Sequence, residues 1–229
     1  MKNLSIRYIF LLVLGMFSLP NDAFAQDVKT LRDELRLATE LLSYFPDSVD
    51  LRLKKASCNM QLQQWEYAKG EYDVVLEKNP KNIAALFYRA YTNEQLRRYN
   101  FARIDYENLL AIVPFHFEAC LGLALLNQKD KRYTEAMDQI NLLIQQNPEN
   151  ALAYAARAGM EKERQMYSLA EYDYSEAIKR DPTNKDYLLN RIDVLLLEKK
   201  YDKAKEELLA LEKMGIARAA LSELYKRIK

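Results

Sequence analysis

Five prolines, Pro46, Pro80, Pro114, Pro148 and Pro182, follow one another at intervals of 34 residues. Proline has no N–H and disfavours α backbone in the residue before it, so each one predicts the end of a helix. Equal intervals of this kind do not arise from random placement. They impose a register, and a chain in a 34-residue register folds as copies of one supersecondary unit. Only the sixth proline, Pro20, stands outside it.

Numbering each unit so that its proline falls at position 32 starts five full units at Val49, Ile83, Phe117, Ala151 and Lys185. Position 20 is then alanine in all five: Ala68, Ala102, Ala136, Ala170 and Ala204. Position 17 is aromatic throughout, as Trp65, Tyr99, Tyr133, Tyr167 and Tyr201. Position 8 is Ala56, Ala90, Ala124, Ala158 and Ile192, and position 24 is Tyr72, Tyr106, Ile140, Tyr174 and Leu208. The last unit lacks the proline and has Met214-Gly215-Ile216 in its place. This pattern predicts an αα-hairpin, with helix A over positions 1–14 and helix B over positions 17–30. Small residues at 8 and 20 let the two backbones approach. The aromatics at 17 and 24, two turns apart, share a face and fill the gap to a neighbouring helix. A lone hairpin cannot bury its apolar face, whereas stacked hairpins bury a continuous core.

The register resembles that of the tetratricopeptide repeat (TPR), a 34-residue helix-turn-helix with small residues at 8 and 20, an aromatic at 24 and proline at 32. The resemblance covers residues 49 to about 216. Position 4 departs from the family's common tryptophan and carries Arg52, Leu86, Cys120, Tyr154 and Leu188. The fold implied is all-α: a right-handed α-solenoid of stacked helix-turn-helix repeats, at 49–82, 83–116, 117–150, 151–184 and 185–216.

Position 7 carries Lys55, Arg89, Leu123, Arg157 and Arg191, and position 23 carries Glu71, Asp105, Gln139, Asp173 and Glu207. Base and acid are present together in four units and lost together in the third. A buried charge without a partner is costly, so the joint loss predicts structural ion pairs Lys55–Glu71, Arg89–Asp105, Arg157–Asp173 and Arg191–Glu207. An arginine stripe for acidic ligands is the less favoured reading.

The ends read differently. Lys2 and Arg7 precede a 12-residue apolar or small run, Tyr8 to Leu19, followed by Ala23-Phe24-Ala25. That order describes a secretory signal peptide over residues 1–25, cleaved between Ala25 and Gln26. The run is too short for a bilayer core, which needs roughly 20 helical residues. The expected mature chain is exported to the periplasm or the extracellular space and has no integral membrane segment. The full chain has 34 Lys and Arg against 33 Asp and Glu. Cleavage would remove Lys2, Arg7 and Asp22 and leave the two balanced, with no electrostatic footprint for nucleic acid. Residues 26–48 supply one helix in front of the array, with Leu31, Leu35, Ala38, Leu41, Leu42 and Phe45 as its apolar stripe. Residues 217–229 supply a capping helix behind, with Leu221, Leu224 and Ile228 inward and Arg218, Glu223, Lys226 and Arg227 outward.

Residues for catalysis are scarce. The one histidine, His116, follows Pro114 and reads as a solvated turn residue. There is no Gly-rich phosphate loop, no Cys-x-x-Cys and no carboxylate pair above the background of solvated helix faces. The expectation is no enzyme, no cofactor and no metal. Cys58 and Cys120 fall on A helices two units apart, about 20 Å by helix spacing, whereas a disulfide needs Cα atoms within about 7 Å. Two buried free thiols are expected.

In the repeat family, positions 2, 5, 9, 12 and 13 usually face a concave groove. Here they place Leu53, Met60, Phe87, Tyr91, Leu121 and Leu125 at an apolar, aromatic centre. The Lys, Asn and Arg set of the family's best-known carboxylate clamp is missing. The function implied is a protein-interaction scaffold whose groove takes a hydrophobic or extended peptide segment. Packing of these residues inside the array is the competing reading. A small-ligand or glycan binder with stacking tyrosines, or an accessory subunit of an envelope complex, are the other readings left open.

Overall fold

The computed structural model describes residues 21–228, with side chains from residue 27 onward. Residues 1–20, most of the expected leader, lie outside this span, and residues 21–25 open the first helix. Among the described residues there are twelve α-helices, one short 3-10 helix and no strand. The chain forms two compact units, Met1–Pro80 and Lys81–Lys229.

The first unit contains α1 (Asn21–Tyr44), α2 (Val49–Gln61) and α3 (Trp65–Lys78). The second begins with α4 (Ile83–Gln95), α5 (Tyr99–Ile112), α6 (Phe117–Lys129) and α7 (Tyr133–Gln146). It continues with α8 (Ala151–Glu163), α9 (Tyr167–Arg180), α10 (Lys185–Leu197) and α11 (Tyr201–Lys213). A 3-10 helix, Arg218–Leu221, leads into α12 (Ser222–Lys226). Within each unit, helices consecutive in sequence pack on one another, α4 on α5, α5 on α6 and so on to α11. This is a TPR-like helical repeat.

Local sequence explains the boundaries. The residue two after each proline caps the following A helix. Ser48 accepts from the Leu51 N–H at 3.3 Å, and Asn82 from Ala85 at 2.9 Å. Asn150 and Asn184 accept from Leu152 and Asp186 at 3.0 and 3.1 Å. Such caps satisfy an N–H that the helix leaves open. His116 occupies the same place in the third repeat, where its Nδ1 accepts from the Ala119 N–H at 3.3 Å. It is therefore a half-buried N-cap, not the solvated turn residue expected from its isolation.

The A helices stop without proline or glycine. At position 15, Gln63, Arg97, Lys131, Gln165 and Lys199 have φ between 57° and 61°. The next N–H returns to the carbonyl at position 11, from Gln64 to Asn59, Arg98 to Asn93, Arg132 to Asn127, Met166 to Glu161 and Lys200 to Leu195, at 2.8–2.9 Å. A left-handed residue with this back-bond is the Schellman closure of a helix, which ordinarily favours glycine.

Packing follows the register. The residues at positions 8 and 20 are fully buried in all five hairpins, and those at 24 nearly so. Position 17 behaves differently from the expectation: all five aromatics keep solvent exposure, and Tyr133 is exposed with the Arg164 guanidinium 5.2 Å above its ring. In α1 the stripe buries Ala38 and Leu42, but Phe45 sits beyond the helix end and is exposed. At the other end Leu221 is fully buried among Leu188, Leu195, Leu208 and Leu211, with Leu224 and Ile228 packed against them. The α-helical part of this cap, Ser222–Lys226, is shorter than the helix expected over 217–229.

The hairpins are pinned by ion pairs between positions 7 and 23. Lys55 Nζ lies 2.6 Å from Glu71 Oε1, Arg89 Nη2 2.6 Å from Asp105 Oδ1, and Arg191 Nη2 2.8 Å from Glu207 Oε1. Arg157 Nη2 donates to Asp173 Oδ1 at 2.7 Å. In the third hairpin Leu123 is buried and Gln139 accepts instead from Asn127 Nδ2 at 2.8 Å. Arg103 from the preceding hairpin supplies the missing cation, donating to Asn127 Oδ1 and Asp130 Oδ2, each at 2.6 Å. The thiols are free, Cys58 buried and Cys120 only half-buried, a departure from the two buried thiols expected.

Candidate functional site

The six residues assigned to the groove divide between the units. Leu53 and Met60 lie on α2 of the first; Phe87, Tyr91, Leu121 and Leu125 lie on α4 and α6 of the second. Met60 and Leu121 are buried, so their side chains offer almost no surface to a ligand. Leu53, Phe87, Tyr91 and Leu125 are half-buried.

In the second unit Phe87 and Tyr91 stand one turn apart on α4, a spacing that puts them on one face. The Phe87 ring meets Tyr88 and Tyr106 edge-on, with centroids 5.3 and 6.0 Å away, and lies 6.1 Å from the His116 ring. Tyr106 reaches this cluster from α5, and a glycine on the next A helix makes room for it. A Cβ built on Gly122 would stand 2.6 Å from Tyr106 Cζ, closer than real Cβ contacts come. Past Gly122, the Tyr106 hydroxyl donates to Glu94 Oε1 at 2.8 Å. Lys129 on α6 donates to Glu94 Oε2, also at 2.8 Å. The buried Glu94 carboxylate thus joins α4, α5 and α6, and both of its oxygens are satisfied.

The electrostatics keep the phenols neutral. Burial, and then the Glu94 carboxylate, push the Tyr106 hydroxyl well above the usual phenol range. Burial likewise raises Tyr91, with Glu94 adding, and Tyr88, with Glu118 adding. Each phenol ionises less readily than in water, so each keeps its O–H at neutral pH. Half-buried aromatic and aliphatic surface beside neutral hydroxyls is chemistry for apolar contact and hydrogen bonding. Among the described residues no group of three or more His, Cys, Asp or Glu is placed to hold a metal ion. No described helix is long and apolar enough to cross a membrane.

Sequence reasoning named Phe87 and Tyr91 of this cluster but missed Tyr106, Gly122, Glu94 and Lys129; Leu125 is half-buried on α6. Gly122 was the available signal: a glycine inside a helix beside a tyrosine-bearing repeat marks a close approach. Glu94 and Lys129 stand at positions 12 and 13, both among the groove-facing positions, but acid and base meet there between no other two repeats, so periodicity did not mark them as a pair.

No family model matches the chain, and no curated protein matches it by sequence. Solved structures do. A tetratricopeptide repeat protein from Parabacteroides merdae superposes with a TM-score of 0.74 at 24% identity, over 89% of this chain and 79% of that one. A thermophilic TPR protein of Thermus thermophilus gives 0.62 at 17% identity, over 79% and 98%. YrrB, described as a TPR protein with an unusual peptide-binding site, gives 0.52 at 16% identity, over 77% and 91%. At these identities the likeness establishes the fold, an array of TPR-like hairpins, and a fold of this kind hosts many functions.

Proposed function

We propose that this chain is a non-catalytic protein-interaction scaffold that works outside the cytoplasm and takes an extended apolar segment of a partner on the A-helix face of its second unit. The observation that carries the reading is the half-buried run of Phe87, Tyr91 and Leu125 on successive A helices, beside phenols held neutral. A surface carried on packed helices needs little ordering on binding, so little entropy opposes it. Aromatic anchors in such a surface carry a large share of binding energy. YrrB, which shares the fold, is described as having a peptide-binding site. The charged leader and apolar run at residues 2–19 support export, with the mature chain beginning at Gln26.

Two measurements test this. The chain is produced with its first 25 residues in a host that secretes proteins, and its N-terminus is sequenced. Recovery starting at Gln26 from outside the cytoplasm supports export; recovery of an uncleaved cytoplasmic chain refutes it. The mature chain and its Phe87→Ala, Tyr91→Ala double variant are then crosslinked in their native envelope. The double variant should lose a stoichiometric protein partner while keeping its helical circular dichroism. Equal capture by both removes this face as the binding site.

A further inference from the structure

Position 11 of the A helix carries Asn59, Asn93, Asn127, Glu161 and Leu195. Where asparagine stands there in the second unit, its amide donates to the side chain at position 23. Asn93 Nδ2 reaches Asp105 Oδ2 at 3.4 Å, and Asn127 Nδ2 reaches Gln139 Oε1 at 2.8 Å. The fourth hairpin puts a carboxyl in the donor's place. Glu161 is 4% exposed and Asp173 is 1% exposed, and they hold the places of the asparagine and its acceptor in the two preceding hairpins. The Oε2 of Glu161 has no partner. The Arg157 guanidinium is already engaged, since its Nε and Nη2 donate to Asp173 and its Nη1 to Asn141 Oδ1.

Two buried carboxylates sharing one engaged guanidinium repel each other. A proton on Glu161 removes the repulsion and restores the donor that asparagine supplies in the other repeats. We propose that Glu161 is a proton latch: protonated, it holds α8 on α9 by donating to Asp173, and loss of the proton loosens the fourth hairpin.

The surrounding groups do not supply another neutralising charge that outweighs burial. From α9, Asp173 and the phenol of Tyr174 face the site; burial, then Asp193, Glu163 and Glu161, raise that phenol, so it stays neutral. From α10 comes Asp193, itself paired with Lys162 at 3.1 Å and Arg227 at 2.7 Å. The α7 and α6 helices contribute the neutral Asn141 and Gln128, the latter bonded to Glu163 Oε2 at 3.0 Å. On α8 itself Arg157 and Arg164 oppose the shift. Burial first, and Asp173 second, push the Glu161 carboxyl from the ordinary 4.5 up to about 7.

The sign follows from linkage. Between those two pH values the folded chain holds a proton that the unfolded chain has released, so stability falls as pH rises from 4.5 to about 7 and this contribution is level above. Across that window the latch should raise the unfolding equilibrium constant by up to ~300-fold.

The test is urea denaturation of the intact chain and of Glu161→Gln at pH 5 and pH 8. Glutamine donates at any pH, so the wild type should lose on the order of 100-fold more in its folding constant over that interval than the variant does. Parallel losses in the two proteins overturn the latch. Carbon-13 NMR of the Glu161 carboxyl in the wild type provides a reading that does not depend on the variant folding. A midpoint near 7 supports the proposal, and one near 4.5 overturns it.

Discussion

Five residues that close A helices adopt a backbone conformation that favours glycine, and none of them is glycine. Gln63, Arg97, Lys131, Gln165 and Lys199 close their A helices in the left-handed region. For an L-residue that conformation costs roughly 1–2 kcal/mol. The return of the next N–H to position 11 and the docking of helix B hold it in place. The demand falls hardest on β-branched side chains, whose second Cβ substituent crowds the carbonyl. Gln165→Val should therefore lower stability by about 1–2 kcal/mol in urea denaturation. Gln165→Gly should remain within about 1 kcal/mol of the wild type, because relief of strain offsets the added unfolded-state entropy. Equal losses for the two substitutions would show that φ is not the constraint. Nothing in these five side chains announces the turn, so the sequence showed where helices A and B must be but not how A stops. The N-caps were legible two residues after each proline, but none was read from the sequence, and His116 was expected to be a solvated turn residue. Ser48, Asn82, Asn150 and Asn184 share a register that includes His116. An imidazole stands outside the Ser, Thr, Asp and Asn side chains that N-caps favour. His116→Asn should match or exceed wild-type stability, whereas His116→Ala should lose about 1 kcal/mol by thermal melting.

Between helices, the contacts that matter pair a large group with a deliberate gap. Tyr106 passes Gly122 to reach Glu94, and a methyl at 122 would stand within 3 Å of three Tyr106 atoms. Gly122→Ala should therefore cost about 1–3 kcal/mol, although alanine is the better helix former. Isoleucine occupies the same register position as Tyr106 in the next hairpin. Tyr106→Ile should make Gly122→Ala far less costly, a coupling visible in a double-mutant cycle; additive losses would mean that the two side chains do not collide. The ion pairs behave in the same coupled way. Arg157→Ala strands a buried Asp173 and should cost several kcal/mol, while the double Arg157→Ala, Asp173→Ala should cost less than the two singles together. These pairs could be read in advance because both members recur at fixed positions and vanish together in the third repeat. The link from Tyr106 through Glu94 to Lys129 was not read in advance, because tyrosine, acid and base combine there only once, although Glu94 and Lys129 stand at positions 12 and 13. Periodicity exposes what the repeats share, whereas a binding surface depends on what each does differently.

In an array, each hairpin rests on its sequence neighbours, so stability is a sum of local and nearest-neighbour terms and damage stays near where it is done. The second unit follows this pattern: its helices pack consecutively from α4 to α11. Leu221, fully buried from the 3-10 turn, closes the last interface against Leu188, Leu195, Leu208 and Leu211. Leu221→Ala removes buried methyl groups and leaves a cavity, at a cost of about 2–5 kcal/mol. Where that loss appears distinguishes a modular array from a single cooperative core. If the hairpins respond locally, amide hydrogen exchange should accelerate in α10, α11 and α12 while α4 and α5 keep their wild-type protection. The half-buried run around Phe87 and Tyr91 would then survive a frayed C-terminus. A uniform drop in protection from α4 to α12 would mean that the unit opens as one body, and that its A-helix face depends on a cap several hairpins away.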